Sequence, residues 1–175
     1  MKLLIRSIRP EDWSAIERIQ AESYPREVLE SLEALQSHWR VSGDTCVVAE
    51  LEGQVVGYLL AHPWPKRTIP PLNKVYSVLP DDSDSLFIHD LALSPTARRS
   101  GMGRDLVRSV LQAGALMRLT TASLIAVQGS EGFWKRFGFT VCDTLADDFV
   151  AAVRCFYPAS DFSYMERCFI GQGGE

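Results

Sequence analysis

The feature that most constrains this chain is a join between a buried strand and an amphipathic helix, made across "SPTARRSGMG", residues 94–103. Ahead of the join, Leu86 to Leu93 is a near-continuous apolar run, which predicts a strand covered on both faces. Beyond it, Leu106, Val107, Val110, Leu111 and Met117 recur at helical spacing, so Arg104 to Met117 reads as a helix with those side chains inward. Gly114 lies near the same face and permits close packing on a sheet. The apolar strand nevertheless carries two ionisable neighbours, His89 and Asp90, and it is aimed at a turn rich in glycine and arginine.

Elsewhere the pattern alternates between strand and helix signals. Leu3 to Ile8 reads as an opening strand. "RPEDW" starts a helix carrying Trp13, Ile16 and Ile19, with Pro10 in its first turn and Pro25 as its end. A second helix is expected from Glu27 to Arg40, with Val28, Leu32 and Leu35 on one face. "TCVVAELEGQVVGYLLAHP" reads as a hairpin turning at Glu52-Gly53. His62 to Asp84, rich in proline and carrying "DDSD", reads as a long loop. "ASLIAVQ" is a further buried strand and Ser130 to Arg136 a short helix. Gly138-Phe139 leads into a strand through Cys142, "FSYMERCF" is the last strand, and "GQGGE" a frayed tail. The order specifies a mixed α/β sheet in a single domain, 1–170, followed by a flexible tail, 171–175.

At 175 residues and 46 % hydrophobic, the chain is long enough for one real core. No segment approaches the roughly 20 apolar residues of a membrane helix. Only Leu3, Leu4 and Ile5 separate the N-terminal lysine from Arg6, too few for a signal peptide. Cys46, Cys142, Cys155 and Cys168 are dispersed without CxxC or a nearby histidine pair, so reduced thiols, no metal and a cytoplasmic location are expected. A net charge of −4 disfavours a generic nucleic-acid binder. Positive charge is instead concentrated at Arg98, Arg99, Arg104 and Arg108, which points to a small anionic ligand.

A helix N-terminus presents unpaired N–H groups and about half a positive charge, and glycines let such a turn close around phosphate. The chain lacks GxxxxGK[ST], and Gly103 is followed by Arg104, Asp105 and Leu106, so GxGxxG fails too. The anion therefore belongs to a phosphate carrier held by a shorter turn.

Arg98-Arg99-Ser100-Gly101-Met102-Gly103 resembles the R/Q-x-x-G-x-G/A signature of the GCN5-related N-acetyltransferases, abbreviated GNAT. The preceding "LALSP", the later "FWKRFGF" and the opening "IRPEDW" are similar to elements of that family, so the resemblance covers nearly the whole chain. It implies a mostly antiparallel central sheet flanked by helices, with acetyl-CoA as co-substrate. Arg98, Arg99, Ser100, Gly101, Met102, Gly103 and Arg104 would wrap the pyrophosphate, and main-chain groups of Leu91, Ala92 and Leu93 would line the pantetheine arm. Within the family, the histidine-bearing strand is most similar to the arylalkylamine branch.

The implied chemistry is acetyl transfer to a primary amine, on a small molecule or a protein, by direct attack. An alkyl amine is mostly charged at neutral pH, so a base is needed, and His89 titrates in the right range. Strand alternation places Phe87, His89 and Leu91 on one face and Ile88, Asp90 and Ala92 on the other. The arylalkylamine branch has a second histidine where Phe87 stands, and many relatives have a glutamate there. Relatives also carry a proton-donating tyrosine where this chain has Trp134, whose indole N–H donates a hydrogen bond but is no proton-transfer acid. Tyr164 is a conceivable substitute. The competing reading is a non-catalytic acyl-CoA-binding module on the same fold. A monomer or homodimer is expected, with no nucleic-acid or membrane partner.

Overall fold

The structure is a computed structural model that describes residues 3–156 and 161–169. Seven strands form one sheet: β1 (Leu3–Ser7), β2 (Cys46–Leu51), β3 (Gln54–Trp64), β4 (Ser85–Leu93), β5 (Thr121–Val127), β6 (Thr140–Val141) and β7 (Phe162–Cys168). Their order is β1-β2-β3-β4-β5-β7-β6, with every pair antiparallel except β4 and β5. The mixed, mostly antiparallel sheet expected from the sequence is what forms. Among the described residues no helix is long and apolar enough to cross a membrane. The tail at 171–175 lies outside the described residues.

Two helices cover one face: α1 (Trp13–Ser23) and α2 (Leu32–Val41). Ile16, Ile19 and Leu35 are wholly buried there against Val48, Tyr58 and Leu60. Burial of each such aliphatic side chain stabilises by about 1.5–3 kcal/mol. The other face is covered by α3 (Met102–Leu116), whose Leu106, Val107 and Val110 pack on Leu59, Leu86 and Ile88. Gly114 earns its place, since a Cβ there would come within 2.8 Å of Leu86 Cδ2. A short α4 (Glu131–Lys135) packs on β5, and α5 (Asp147–Phe156) buries Phe149 and Val153 against Tyr164.

Local signals explain the boundaries. Glu52 and Gly53 both take positive φ, at 51° and 84°, which makes the tight hairpin turn the sequence indicates. The second helix starts at Leu32 rather than Glu27, because Ser31 caps it by accepting the Ala34 N–H at 3.2 Å. Val28 instead belongs to a short 3-10 turn. Met117 is not an inward helical residue: α3 ends at Leu116, and Met117 is 43 % exposed. His62 and Trp64 belong to the buried end of β3, so the connecting loop begins at Pro65.

Candidate active site

The site follows from how β4 and β5 part. They pair from Ser85 to Ile88 and from Thr121 to Leu124, yet β4 continues to Leu93 and β5 to Val127. Between the separated ends lies a cleft of about 540 Å³, lined by Ile88 to Leu93 on one side and Leu124, Ile125 and Val127 on the other. Tyr24, Glu30, Arg98, Gly103, Phe133 and Trp134 complete its walls.

Separation leaves main-chain groups of β4 without strand partners on the cleft side. Ser94 N–H donates to Val56 O on β3, so along an extended strand the groups of Leu93 and Leu91 point the opposite way. Side chains on the cleft side confirm this direction, for Leu91 O accepts from Tyr24 Oη at 2.8 Å and Leu93 O from Ser23 Oγ at 3.4 Å. The N–H groups of Leu91 and Leu93 share that edge.

The expected face assignment of β4 fails at one place. Leu60 pairs with Asp90 and Ala61 with Ile88, so His89 is an extra residue without a partner across the ladder. This bulge resets the alternation. Phe87 and His89 face the α2 side, and beyond the bulge Asp90 and Ala92 face the same side, while Leu91 and Leu93 pack with the α3 side. His89 and Asp90, expected on opposite faces, are neighbours on one.

His89 is paired with a residue that sequence reasoning missed. Its Nε2 lies 2.5 Å from Glu30 Oε1, and both side chains are only 3 % exposed. The other Glu30 oxygen accepts the Asn73 N–H at 2.5 Å. Burial alone would lower the His89 pKa, but the Glu30 charge and hydrogen bond hold it above the ordinary 6.5. Glu30 is correspondingly held below its ordinary value against its own burial. No local pattern marks Glu30, which reaches His89 from the segment between α1 and α2. Phe87 packs on Trp64 and Tyr76.

Behind His89 stand His38 and His62, both wholly buried. Their rings stack at 4.9 Å and 9°, and His38 lies 4.0 Å from the His89 ring. Burial pushes His62 down to about 3 and His38 far below its usual range, so both are neutral at physiological pH. The three residues offer nitrogens within 4.8 Å of one another; His38 and His62 stack, while the His89 ring is tilted by 34° to the first and 38° to the second.

Asp90 makes a separate cluster. Its Oδ1 lies 2.6 Å from Tyr24 Oη and its Oδ2 lies 2.5 Å from Tyr58 Oη. Burial pushes the Asp90 carboxyl above the usual carboxylate range, against the pull of both phenols and of His89.

At the turn before α3, Arg99 and Gly101 take positive φ, at 63° and 91°. The left-handed conformation at Gly101 is one that glycine adopts without a Cβ penalty. Ser100 Oγ donates to Ala97 O and accepts the Met102 N–H at 3.3 Å. Thus the Met102 amide is occupied, and its side chain is buried in the core. Among the described residues no acceptor takes the amides of Gly101, Gly103 or Arg104. Arg98 reaches back to Leu93 O and Glu22 O, while Arg104 extends toward Asp105. Of the expected donor-binding residues, Leu91, Ala92, Leu93, Arg98, Gly103 and Trp134 line the cleft. Arg99, Ser100, Gly101, Met102 and Arg104 lie outside its walls. Tyr164, the conceivable substitute acid, is also outside: it is buried beside Phe149 and accepts the Arg67 N–H at 3.1 Å.

A mostly antiparallel sheet split between its one parallel pair, with unfilled amides beside the split, is the acyl-CoA N-acyltransferase fold. The model of the acetyltransferase (GNAT) family matches residues 13–139, and the chain belongs to that family. Acetyl-CoA is therefore its co-substrate, and the free amides at the start of α3 suit an anionic carrier. Among solved structures, Ard1 from Thermoplasma volcanium is similar at 18% identity and a TM-score of 0.72, covering 98% of this chain and 100% of that one. Arabidopsis thaliana Naa50, in complex with the bisubstrate analogue CoA-Ac-MVNAL, is similar at 15% identity and a TM-score of 0.69, covering 97% and 100%. The PaiA N-acetyltransferase from Thermoplasma acidophilum, in complex with coenzyme A, is similar at 16% and 0.67, covering 97% and 100%. No curated protein matches the sequence.

Proposed function

We propose that this protein transfers the acetyl group of acetyl-CoA to a primary amine by direct attack in a ternary complex, without an acyl-enzyme. The observation that carries this reading is the parting of β4 and β5, which turns the Leu91 and Leu93 amides toward a cleft that reaches Gly103. The Leu91 N–H polarises the thioester oxygen, a donor worth about 10²–10³ in rate. The amides of Gly101, Gly103 and Arg104, with Arg98 and Arg99, hold the pyrophosphate. The acceptor amine enters between Tyr24 and Glu30.

His89 takes the amine proton. With so little of its side chain exposed, it does so through water, and Glu30 stabilises the imidazolium that results. The likeness to the arylalkylamine branch rests on His89 alone, so the acceptor is assigned only as a primary amine, small or at a protein N-terminus. The bound analogue of the Naa50 structure supports the second kind. A cytoplasmic monomer or homodimer remains our reading.

The test is thiol release from acetyl-CoA across a panel of amines, beside calorimetric titration with CoA. Turnover with any amine is expected. Tight CoA binding with no turnover would replace the enzyme with a non-catalytic acyl-CoA-binding module.

A further inference from the structure

Three short oxygen–oxygen contacts meet around Asp90, and each needs a proton. Tyr24 Oη lies 2.6 Å from Asp90 Oδ1 and 2.8 Å from Leu91 O, and Tyr58 Oη lies 2.5 Å from Asp90 Oδ2. The two phenols supply one proton each. A main-chain carbonyl supplies none, and an ionised carboxylate only accepts. One hydrogen on Tyr24 cannot lie along two contacts of those lengths with good angles. Once Tyr24 donates to Leu91 O, the contact to Asp90 requires a proton on the carboxyl itself.

The surroundings agree. Tyr58 is wholly buried, and its burial beside Asp90 keeps the phenol neutral. Burial of Asp90 and the charge of Glu30 disfavour a carboxylate there, while the charge of His89, its neighbour across the bulge, acts the other way. Tyr24 stands in the cleft wall, held against Leu91, whose amide is the thioester-oxygen donor of the proposed reaction. On the opposite wall, Trp134 has no acidic proton to give a departing thiolate.

We propose that Asp90 is a carboxylic acid at neutral pH and that, with Tyr24, it is the proton donor of this site. The inference rests on the acetyl-transfer reading above. As the amine nitrogen bonds to the acetyl carbon, the C–S bond breaks and its electron pair leaves on sulfur. Tyr24 Oη–H protonates that sulfur, and Asp90 returns a proton to Tyr24. The proton that the amine loses goes to His89 and passes through cleft water to Asp90, so the cycle closes with free CoA thiol and an amide. The bulge serves this cycle directly, because it sets the group that gains a proton beside the group that loses one.

The experiment has two arms on the full chain. Infrared difference spectra of wild type against Asp90→Asn at neutral pH read the protonated carboxyl directly. The expected result is a carboxylic-acid carbonyl band, sensitive to deuterium exchange and absent in Asp90→Asn; its absence from wild type overturns the proposal. In the kinetic arm, Tyr24→Phe lowers kcat by about 10²-fold, within the range for general acid–base catalysis. CoA affinity stays unchanged, and the solvent deuterium isotope effect on kcat disappears. Full kcat in Tyr24→Phe overturns the donor role even if the band is present. Failure of wild type to acetylate any amine sinks the acetyl-transfer reading and the donor role with it, while the infrared band still reports on the Asp90 proton.

Discussion

Gly103→Asp separates donor binding from folding because the two respond with opposite signs. A Cβ at this position meets Leu93 Cδ1 at 3.4 Å and Phe133 Cζ at 3.6 Å, both ends of side chains. Gly103 lies in the first turn of α3, where glycine costs about 1 kcal/mol against alanine. An acidic residue there also gains about 0.3–1 kcal/mol from the helix dipole. The free protein should therefore melt at an equal or higher temperature. Bound CoA would meet a new carboxylate beside its pyrophosphate. Two unit charges about 5 Å apart at an effective dielectric of about 20 repel by roughly 3 kcal/mol. That weakens Kd by roughly 100-fold. Gly103→Ala, which adds the Cβ without the charge, should stabilise the fold and weaken CoA far less. Calorimetric titration with CoA, paired with a thermal melt of each variant, reads both signs. Unchanged CoA affinity in Gly103→Asp would refute the cradle, and lower stability would refute the packing argument.

Glu30 holds the His89 pKa above 6.5 against burial, so the base form appears only as pH rises through that raised value. With His38 and His62 neutral and Asp90 nearby, Glu30→Gln should move the acid limb of kcat/KM to lower pH and reduce the plateau; an unmoved limb counts against the pair. Asp12 accepts from Arg6 at 2.7 and 2.9 Å and from the Arg9 N–H at 2.7 Å, which hold its pKa below 3.8 despite burial. Its stabilisation is full above 3.8 and lost as pH falls through the folded value, so Asp12→Asn should cost about 2 kcal/mol at pH 7, with the gap to wild type closing in acid. A gap independent of pH, measured by denaturant melts, would be inconsistent with that ion pair. At Gly57, a Cβ would stand 2.3 Å from Leu93 Cδ2 and 3.1 Å from Ala92 O, so Gly57→Ala should destabilise by about 1–3 kcal/mol and weaken CoA binding through β4. Wild-type stability in that variant would mean the end of β4 yields freely.

What could be read from the sequence was whatever its local periods record. The hairpin at Glu52-Gly53, the strand through Leu93 and the face of α3 carry their signals within a few residues, and the structure matches them. Ser31 was a legible cap that the apolar pattern of Val28 obscured. The first turn of α5 carries Asp147 and Asp148, with Phe149 and Val153 four apart, a signal short enough to pass as loop. The pairing of Glu30 with His89 joins residues 59 apart in sequence, and no local pattern records it. The bulge is a different kind of failure. Alternation along β4 is a correct rule applied across the one residue where the ladder breaks, and the break is specified by β3, which pairs Leu60 with Asp90 and Ala61 with Ile88. Had the rule held, His89 and Asp90 would face opposite sides of the sheet, and no proton could pass between them without crossing it. The departure from regular pairing therefore puts an imidazole and a carboxyl on one wall of the same cleft, the arrangement that the proposed proton transfer requires.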